Sequence, residues 1–269
     1  MPDTMHSIRP ALRASTSSIL ANPRGAALFL DVDGTLLDLA ATPKSVRVPN
    51  GLIGVLQRLS LRLDGAVAII TGRLISEIDL LLQPLKLTAS GVHGAEIRTS
   101  PTGDIERVTA MLPADVVQDM RKLALDIPGV IAEPKGAGLA VHYRLAPQAE
   151  GVVLAALEAA LERHRGAFEL LRGKRLFEVL PAGLSKGTAL SSLSALPAFR
   201  DRMPIMIGDD VGDEAAFKVS ESMGGFALRV AGEYYRDEGA DFAGPRAVLG
   251  WLDELACKLE RAEKPSLHP

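Results

Sequence analysis

The chain has one cysteine, Cys257, one tryptophan, and only 4% aromatic residues. A lone cysteine excludes an internal disulfide framework and any cysteine-rich zinc site, and it points to a reducing compartment. No apolar run approaches the roughly 18 residues that span a bilayer, so no membrane segment is expected. An excess of one charge is missing too. Thirty basic side chains stand against 33 acidic ones, a net −3 with histidine neutral, so the field of the whole molecule gives no reason to expect nucleic acid. Residues 1–25 lack the continuous apolar stretch of a signal peptide. They carry Arg9, Arg13, Arg24 and three prolines, and a flexible N-terminal arm is the expectation. What remains is a cytoplasmic, monomeric globular protein. Its 269 residues, 47% of them hydrophobic, suffice for one large domain or two modest ones.

Short β-rich runs alternate with helical patterns, the signature of a parallel sheet wrapped by helices. ALFLD (27–31), AVAII (66–70) and PIMIGDD (204–210) read as buried strands, GFALRV (225–230) as a further one, and TASGVHGAEI (88–97) as a strand entering a Gly-rich turn. Helices are predicted over 48–63, 75–85 and 245–262. The middle differs: a helix over 113–127 precedes the strands GVIAEPK and GLAVHYRL, and a helix over 147–164 precedes AFELL and RLFEVLP. Strand pairs joined by short glycine turns are hairpins. The fold predicted is therefore α/β, a Rossmann-like parallel core over 26–109 and 182–269, with an α+β (αββαββ) cap over 110–181.

Open parallel sheets bind ligands beyond the carboxyl ends of their strands. Asp31 and Asp33, then Thr71-Gly72-Arg73, then Asp209-Asp210, each follow an apolar strand directly. Parallel strands would bring all three sets to one edge. Two carboxylates ~6 Å apart at an effective dielectric of ~20 repel by roughly 3 kcal/mol. A divalent cation with a taste for oxygen, Mg²⁺ above all, resolves that conflict and shields an arriving phosphate. Alternation in an extended segment puts both acids of D-x-D on one side. One carboxylate can then attack phosphorus while the other protonates the leaving alkoxide and later activates water. Thr71 offers a hydroxyl, Gly72 close backbone approach, and Lys186, behind a Ser185 helix cap, an ammonium at a helix start. Asp209, Asp210 and Asp213 crowd one strand end and suggest a cation. His142 alternates with apolar residues, which reads as a satisfied core histidine.

In this order, D-V-D-G-T, T-G-R, a lysine and G-D-D-V-G-D-E resemble the haloacid dehalogenase superfamily over residues 27–230. The resemblance implies Mg²⁺-dependent phosphoryl transfer through an aspartyl phosphate on a Rossmann-like core, here with a type C2 cap. GVHGAEI, EPKGAGLAVHYR, KRLFEVLP and SKGTAL narrow the likeness to the trehalose-6-phosphate phosphatase family. On that likeness Asp31 is the nucleophile and Asp33 the acid/base. Thr71, Gly72 and Lys186 hold the phosphoryl oxygens. Mg²⁺ lies on Asp31, the main-chain carbonyl of Asp33 and Asp209, with Asp213 in support. Glu133, Lys135 and Glu178 of the cap grip a small-molecule sugar phosphate. Gly212 departs from the threonine usual in the last motif, which should loosen a supporting hydrogen bond. Rivals are a phosphatase for another sugar phosphate such as sucrose 6-phosphate, a signalling receiver, and a catalytically dead binding module. Asp33 and the inserted cap argue against a receiver, and the full motif set argues against a dead module.

Overall fold

The computed structural model describes residues 9–40, 45–173 and 175–262. In chain order the core elements are α1 (Pro10–Ala21), β1 (Ala26–Leu30), α2 (Leu52–Arg62), β2 (Val67–Ile70), α3 (Ile75–Leu81), β3 (Thr88–Gly91), β4 (Glu96–Arg98) and β5 (Glu106–Arg107). The cap follows with α4 (Ala114–Asp126), β6 (Ile131–Lys135), β7 (Gly138–His142), α5 (Glu150–Glu162), β8 (Phe168–Gly173) and β9 (Leu176–Pro181). The chain then returns to the core as α6 (Lys186–Ser194), β10 (Met203–Gly208), α7 (Glu214–Ser222), β11 (Phe226–Arg229) and α8 (Pro245–Ala262).

The core sheet runs β11-β10-β1-β2-β3-β4-β5. The first five strands are parallel, and β4 and β5 extend it antiparallel. Every residue of β1 and β2 is buried, as expected of strands covered by helices on both faces. From β1 the chain winds one way to β2 and β3 and later the other way to β10 and β11, so the topological switch lies between β1 and β10. The register pairs Leu30 with Ile207 and with Ile69. Asp31, Thr71 and Asp209, each just past its strand, therefore share one edge, which is where such folds bind ligands.

The cap is an antiparallel sheet in the order β6-β7-β9-β8. Strand period places alternate residues on opposite faces. Leu139, Val141, Phe177 and Val179 pack with Val116, Met120, Val153 and Leu157 of the cap helices in an apolar cluster of their own. Glu133, Ala140 and Glu178 lie side by side across three strands. Lys135 and His142, two residues along, share their face. That face, away from the helices, is turned to the core.

Residues 10–25 do not form the flexible arm expected of them. Pro10–Ala21 is a helix that starts on a proline, which suits the first turn, and it buries Leu12, Ser15 and Ile19. Trp251 of α8 donates to Thr16 Oγ1 at 2.9 Å. The run Ser15-Thr16-Ser17-Ser18 masks an apolar stripe whose spacing is helical. Residues 1–8 of that prediction lie outside the described residues. Helix α2 begins later than the predicted residue 48 because Gly51, at φ +88°, sits at its N-cap. Among the described residues no helix is long and apolar enough to cross a membrane.

Candidate active site

Asp31, Asp33, Thr71, Gly72, Lys186 and Asp209 of the core and Glu133, Lys135 and Glu178 of the cap line one cavity of about 160 Å³. These nine residues, singled out in the sequence for phosphate, metal or sugar, are thus brought together, and Asp213 lies beside them, bonded to Lys186. The chain turns sharply after Asp33, with Gly34 at φ +86°. A Cβ there would fall 2.0 Å from Asp209 Oδ2, so only glycine lets the first and last acidic motifs meet.

Lys186 anchors the floor. The side chain of Ser185 accepts from Thr188 N–H at 3.1 Å and caps α6. That fixes the first turn from which Lys186 Nζ donates to Asp31 Oδ1 at 2.6 Å and Asp213 Oδ1 at 2.7 Å. Asp213 Oδ2 accepts the main-chain N–H groups of Asp209 and Asp210, both at 3.0 Å. Both oxygens of Asp213 are therefore engaged. A side chain at Gly208 would strike it, with a Cβ 2.4 Å from its Cγ. Thr35 Oγ1 donates to Asp31 Oδ2 at 3.0 Å. Burial pushes the Asp31 carboxyl up to about 6, against the pull of Lys186 and with a push from Asp213 and Asp33. Burial also disfavours the Lys186 ammonium, but Asp213 and Asp31 outweigh it and hold its pKa well above the ordinary lysine value.

Three carboxylates, Asp31, Asp209 and Asp213, bring oxygens within 4.8 Å of one another, all buried. One ammonium does not balance them. An all-oxygen, net-negative cluster is the donor set a hard divalent cation prefers, so the residues fit Mg²⁺. Asp213 accepts from Lys186 and two amides and does not line the cavity, whereas Asp31 and Asp209 do, so these two side chains are the ones that would face such an ion.

Arg73, the third residue of T-G-R, was not assigned a role from the sequence. It donates to Asp33 Oδ2 from Nε at 2.6 Å and to Oδ1 from Nη2 at 2.7 Å, a fork on the second acid of D-x-D. Thr71 is buried, and its Oγ1 accepts from Arg73 N–H at 3.1 Å. The spacing of one residue between Thr71 and Arg73 could not by itself reveal that the arginine folds back onto the acid past the end of β1.

The cap wall is a chain of alternating charge. His142 Nε2 meets Glu133 Oε2 at 2.8 Å, so this histidine is half-buried at the cavity rather than in the core as expected. Lys135 Nζ lies 3.7 Å from Glu133 and 3.6 Å from Glu178, and it donates to the main-chain carbonyl of Gly72 at 3.0 Å. Burial opposes ionisation of Glu178, yet His93 and Lys135 more than offset it and hold the carboxyl well below the usual range. Arg144, which also lines the cavity, reaches Glu233 of the core at 2.9 Å.

A family model described as trehalose-phosphatase matches residues 29–235. A "Probable trehalose-phosphate phosphatase" of Sinorhizobium fredii (strain NBRC 101917 / NGR234) is 41% identical over 212 residues, covering 76% of this chain and 77% of its own length. The "Trehalose-6-phosphate phosphatase" of Escherichia coli (strain K12) is 33% identical over 236 residues, 87% of this chain and 88% of the relative. Among solved structures, a "trehalose-6-phosphate phosphatase related protein" superposes with a TM-score of 0.71 at 25% identity, over 89% of this chain and 100% of that one. The C-terminal domain of the C. albicans enzyme shares the fold, with a TM-score of 0.74 at 21% identity over 90% and 96% of the two chains. The matched span runs from β1 past β11, through both walls of the cavity, and on these grounds the chain belongs to the trehalose-phosphatase family.

Proposed function

We propose that this phosphoric monoester hydrolase cleaves trehalose 6-phosphate to trehalose and phosphate, with Asp31 as nucleophile. The observation that carries the reading is the single cavity in which the Asp31–Asp33 pair of the core faces Glu133, Lys135 and Glu178 of the cap. An Asp31 carboxylate oxygen attacks phosphorus as the bond to the sugar oxygen breaks, and the departing alkoxide takes a proton from Asp33. The product is an acyl phosphate on Asp31. Asp33 then removes a proton from water, which attacks phosphorus. The bond from phosphorus to Asp31 breaks and the carboxylate is restored. Thr71 and Lys186 hold the phosphoryl oxygens where charge develops. Arg73 keeps Asp33 aimed at the cavity until substrate competes for it.

Asp31, Asp209 and the main-chain carbonyl of Asp33 would hold Mg²⁺, which supplies positive charge to the carboxylates and the phosphoryl group when bound. Acids and a lysine suit a disaccharide because each bridges neighbouring hydroxyls. The cavity is smaller than the ~300–1,000 Å³ usual for small-molecule sites, and withdrawal of the cap would enlarge it for substrate. The lone Cys257 and the near-balanced charge suit a cytoplasmic monomer acting on a soluble sugar phosphate.

The test is phosphate release with Mg²⁺ and with a chelator, from trehalose 6-phosphate, sucrose 6-phosphate, glucose 6-phosphate and an aryl phosphate. A metal-dependent preference for trehalose 6-phosphate is expected. Preference for sucrose 6-phosphate would replace the substrate while keeping the chemistry, and turnover undiminished by the chelator would overturn the metal assignment.

A further inference from the structure

Two residues in GVHGAE are held in the left-handed backbone region without being glycine: Val92 at φ +48° and His93 at φ +52°. For a β-branched residue this is a genuine outlier. Such strain persists only where the surroundings over-determine it, and it marks places where a side chain must be aimed. Here the surroundings are the T-G-R turn on one side and the cap on the other.

The main chain of the motif is tied to T-G-R at two points. Val92 N–H donates to Arg73 O at 3.0 Å and His93 N–H to Thr71 O at 3.1 Å. Further on, Glu96 Oε2 accepts from Ile75 N–H at 3.1 Å, holding the start of α3 directly after T-G-R. With the backbone fixed, both left-handed residues point to the cap. Val92 packs in a small buried apolar patch with Ala137 and Leu180 of the cap. His93 is buried, and its Nε2 meets Glu178 Oε2 at 2.9 Å. The second observation is steric. A Cβ on Gly72 would lie 2.6 Å from His93 Nε2 and 3.3 Å from Glu178 Oε1. Gly72 is therefore bare where the imidazole and the cap carboxylate must pass, and its carbonyl takes the Lys135 ammonium at the same spot.

We propose that His93 is a positioning residue: from the core it fixes Glu178 of the cap against the phosphate-binding turn, so that the sugar contact and the phosphoryl contact are set in one register. The inference rests on the substrate reading above and assigns a role that the motif residues of the reaction do not cover. His93 lines the cavity, and the partner of its side chain is Glu178 rather than Asp31 or Asp33. Its imidazole N–H donates to the Glu178 carboxylate, and the seated cap is what the disaccharide meets.

The test compares wild-type protein, His93→Asn, His93→Gln, Glu178→Gln and the His93→Asn/Glu178→Gln double variant on trehalose 6-phosphate and on an aryl phosphate. Asparagine tolerates the left-handed backbone but its amide falls short of Glu178, whereas the glutamine amide nitrogen occupies the place of Nε2. Expected for His93→Asn is a loss of at least tenfold in kcat/KM on trehalose 6-phosphate and less than about threefold on the aryl phosphate, because remote binding energy serves only the large substrate. His93→Gln should recover most of the loss. The double variant should be no worse than Glu178→Gln, since both remove one contact. Equal losses on both substrates, no recovery with glutamine, or full additivity would each overturn the role. The two failures are distinguishable. Wild-type protein that ignores trehalose 6-phosphate overturns the substrate reading and this use of His93 with it. Wild-type preference with equal losses in His93→Asn overturns the positioning role alone.

Discussion

On the core wall, Lys186 shares its protons between two buried carboxylates whose backbones are set by a strand end and a capped turn. On the cap wall, Glu133, Lys135 and Glu178 ride on an antiparallel sheet and reach the core through Gly72 and His93. The core site is preorganised by topology: register alone brings Asp31, Thr71 and Asp209 to one edge. The cap site is organised by alternation, and its final geometry depends on where the cap sits. The comparison separates chemistry from selection. A buried acid cluster that cannot relax suits phosphoryl transfer, and a charged face on a separate unit suits recognition of the part of the substrate that does not react.

The contrast breaks most completely at Asp31. Asp31→Asn should lower turnover on every phosphate ester by about a thousandfold or more, since an amide oxygen is a poor nucleophile. Circular dichroism should show the fold intact, and substantial residual hydrolysis would remove Asp31 from its role. Next comes Lys186→Met, which strips both buried acids of their partner. Breaking a buried pair from one side costs about 3–5 kcal/mol, and urea unfolding of the metal-free variant at neutral pH should show a loss of that order together with lost activity. A stability change under 1 kcal/mol would contradict the charge account of the floor.

On the other wall the effects are smaller and selective. Glu178→Ala should cost trehalose 6-phosphate at least ten times more in kcat/KM than it costs an aryl phosphate. Parallel losses would show that the cap wall is no sugar contact. The smallest expected effect is one of pH. The folded-state pKa of Glu178 is depressed below the ordinary 4.5, so the unfolded chain takes up the proton first as pH falls. The stability from ionised Glu178 is complete above about 4.5 and is lost progressively as pH falls from there towards the depressed folded-state value. Melting temperatures of wild-type and Glu178→Gln protein should therefore differ at pH 7, and the gap should narrow steadily as pH falls below about 4.5. A constant gap would place the difference in packing.

Much of the core wall could be read from the sequence, because each motif abuts an apolar run and a strand has only one carboxyl end. D-x-D with glycine next, and serine before Lys186, carry their geometry in their spacing. On the cap wall, Glu133, Lys135 and Glu178 are reached through the family resemblance, and strand period adds only that Glu133 and Lys135 share a face. What the sequence hides are contacts between segments far apart in the chain. The fork of Arg73 on Asp33 and the meeting of His93 with Glu178 depend on side chains turning back from their elements, and no local pattern encodes that. Asp213 could be placed at the site, but not its hydrogen bonds from Lys186 and two amides. Helix α1 is missed because Ser15 stands within its buried stripe and Thr16, Ser17 and Ser18 follow it, and β4 and β5 because three and two residues carry too little pattern.

The central claim, that the core wall passes the phosphoryl group through Asp31 and uses Asp33 to release it, is met most directly by a burst experiment. With Mg²⁺ and a nitrophenyl phosphate, whose leaving group needs no proton, Asp33→Asn should still form the acyl phosphate but hydrolyse it slowly. Rapid mixing should then show a burst of about one nitrophenolate per chain followed by a slow phase, and no burst when Asp31→Asn is added to the same protein. A linear trace without a burst, or a burst that survives loss of Asp31, would contradict the account.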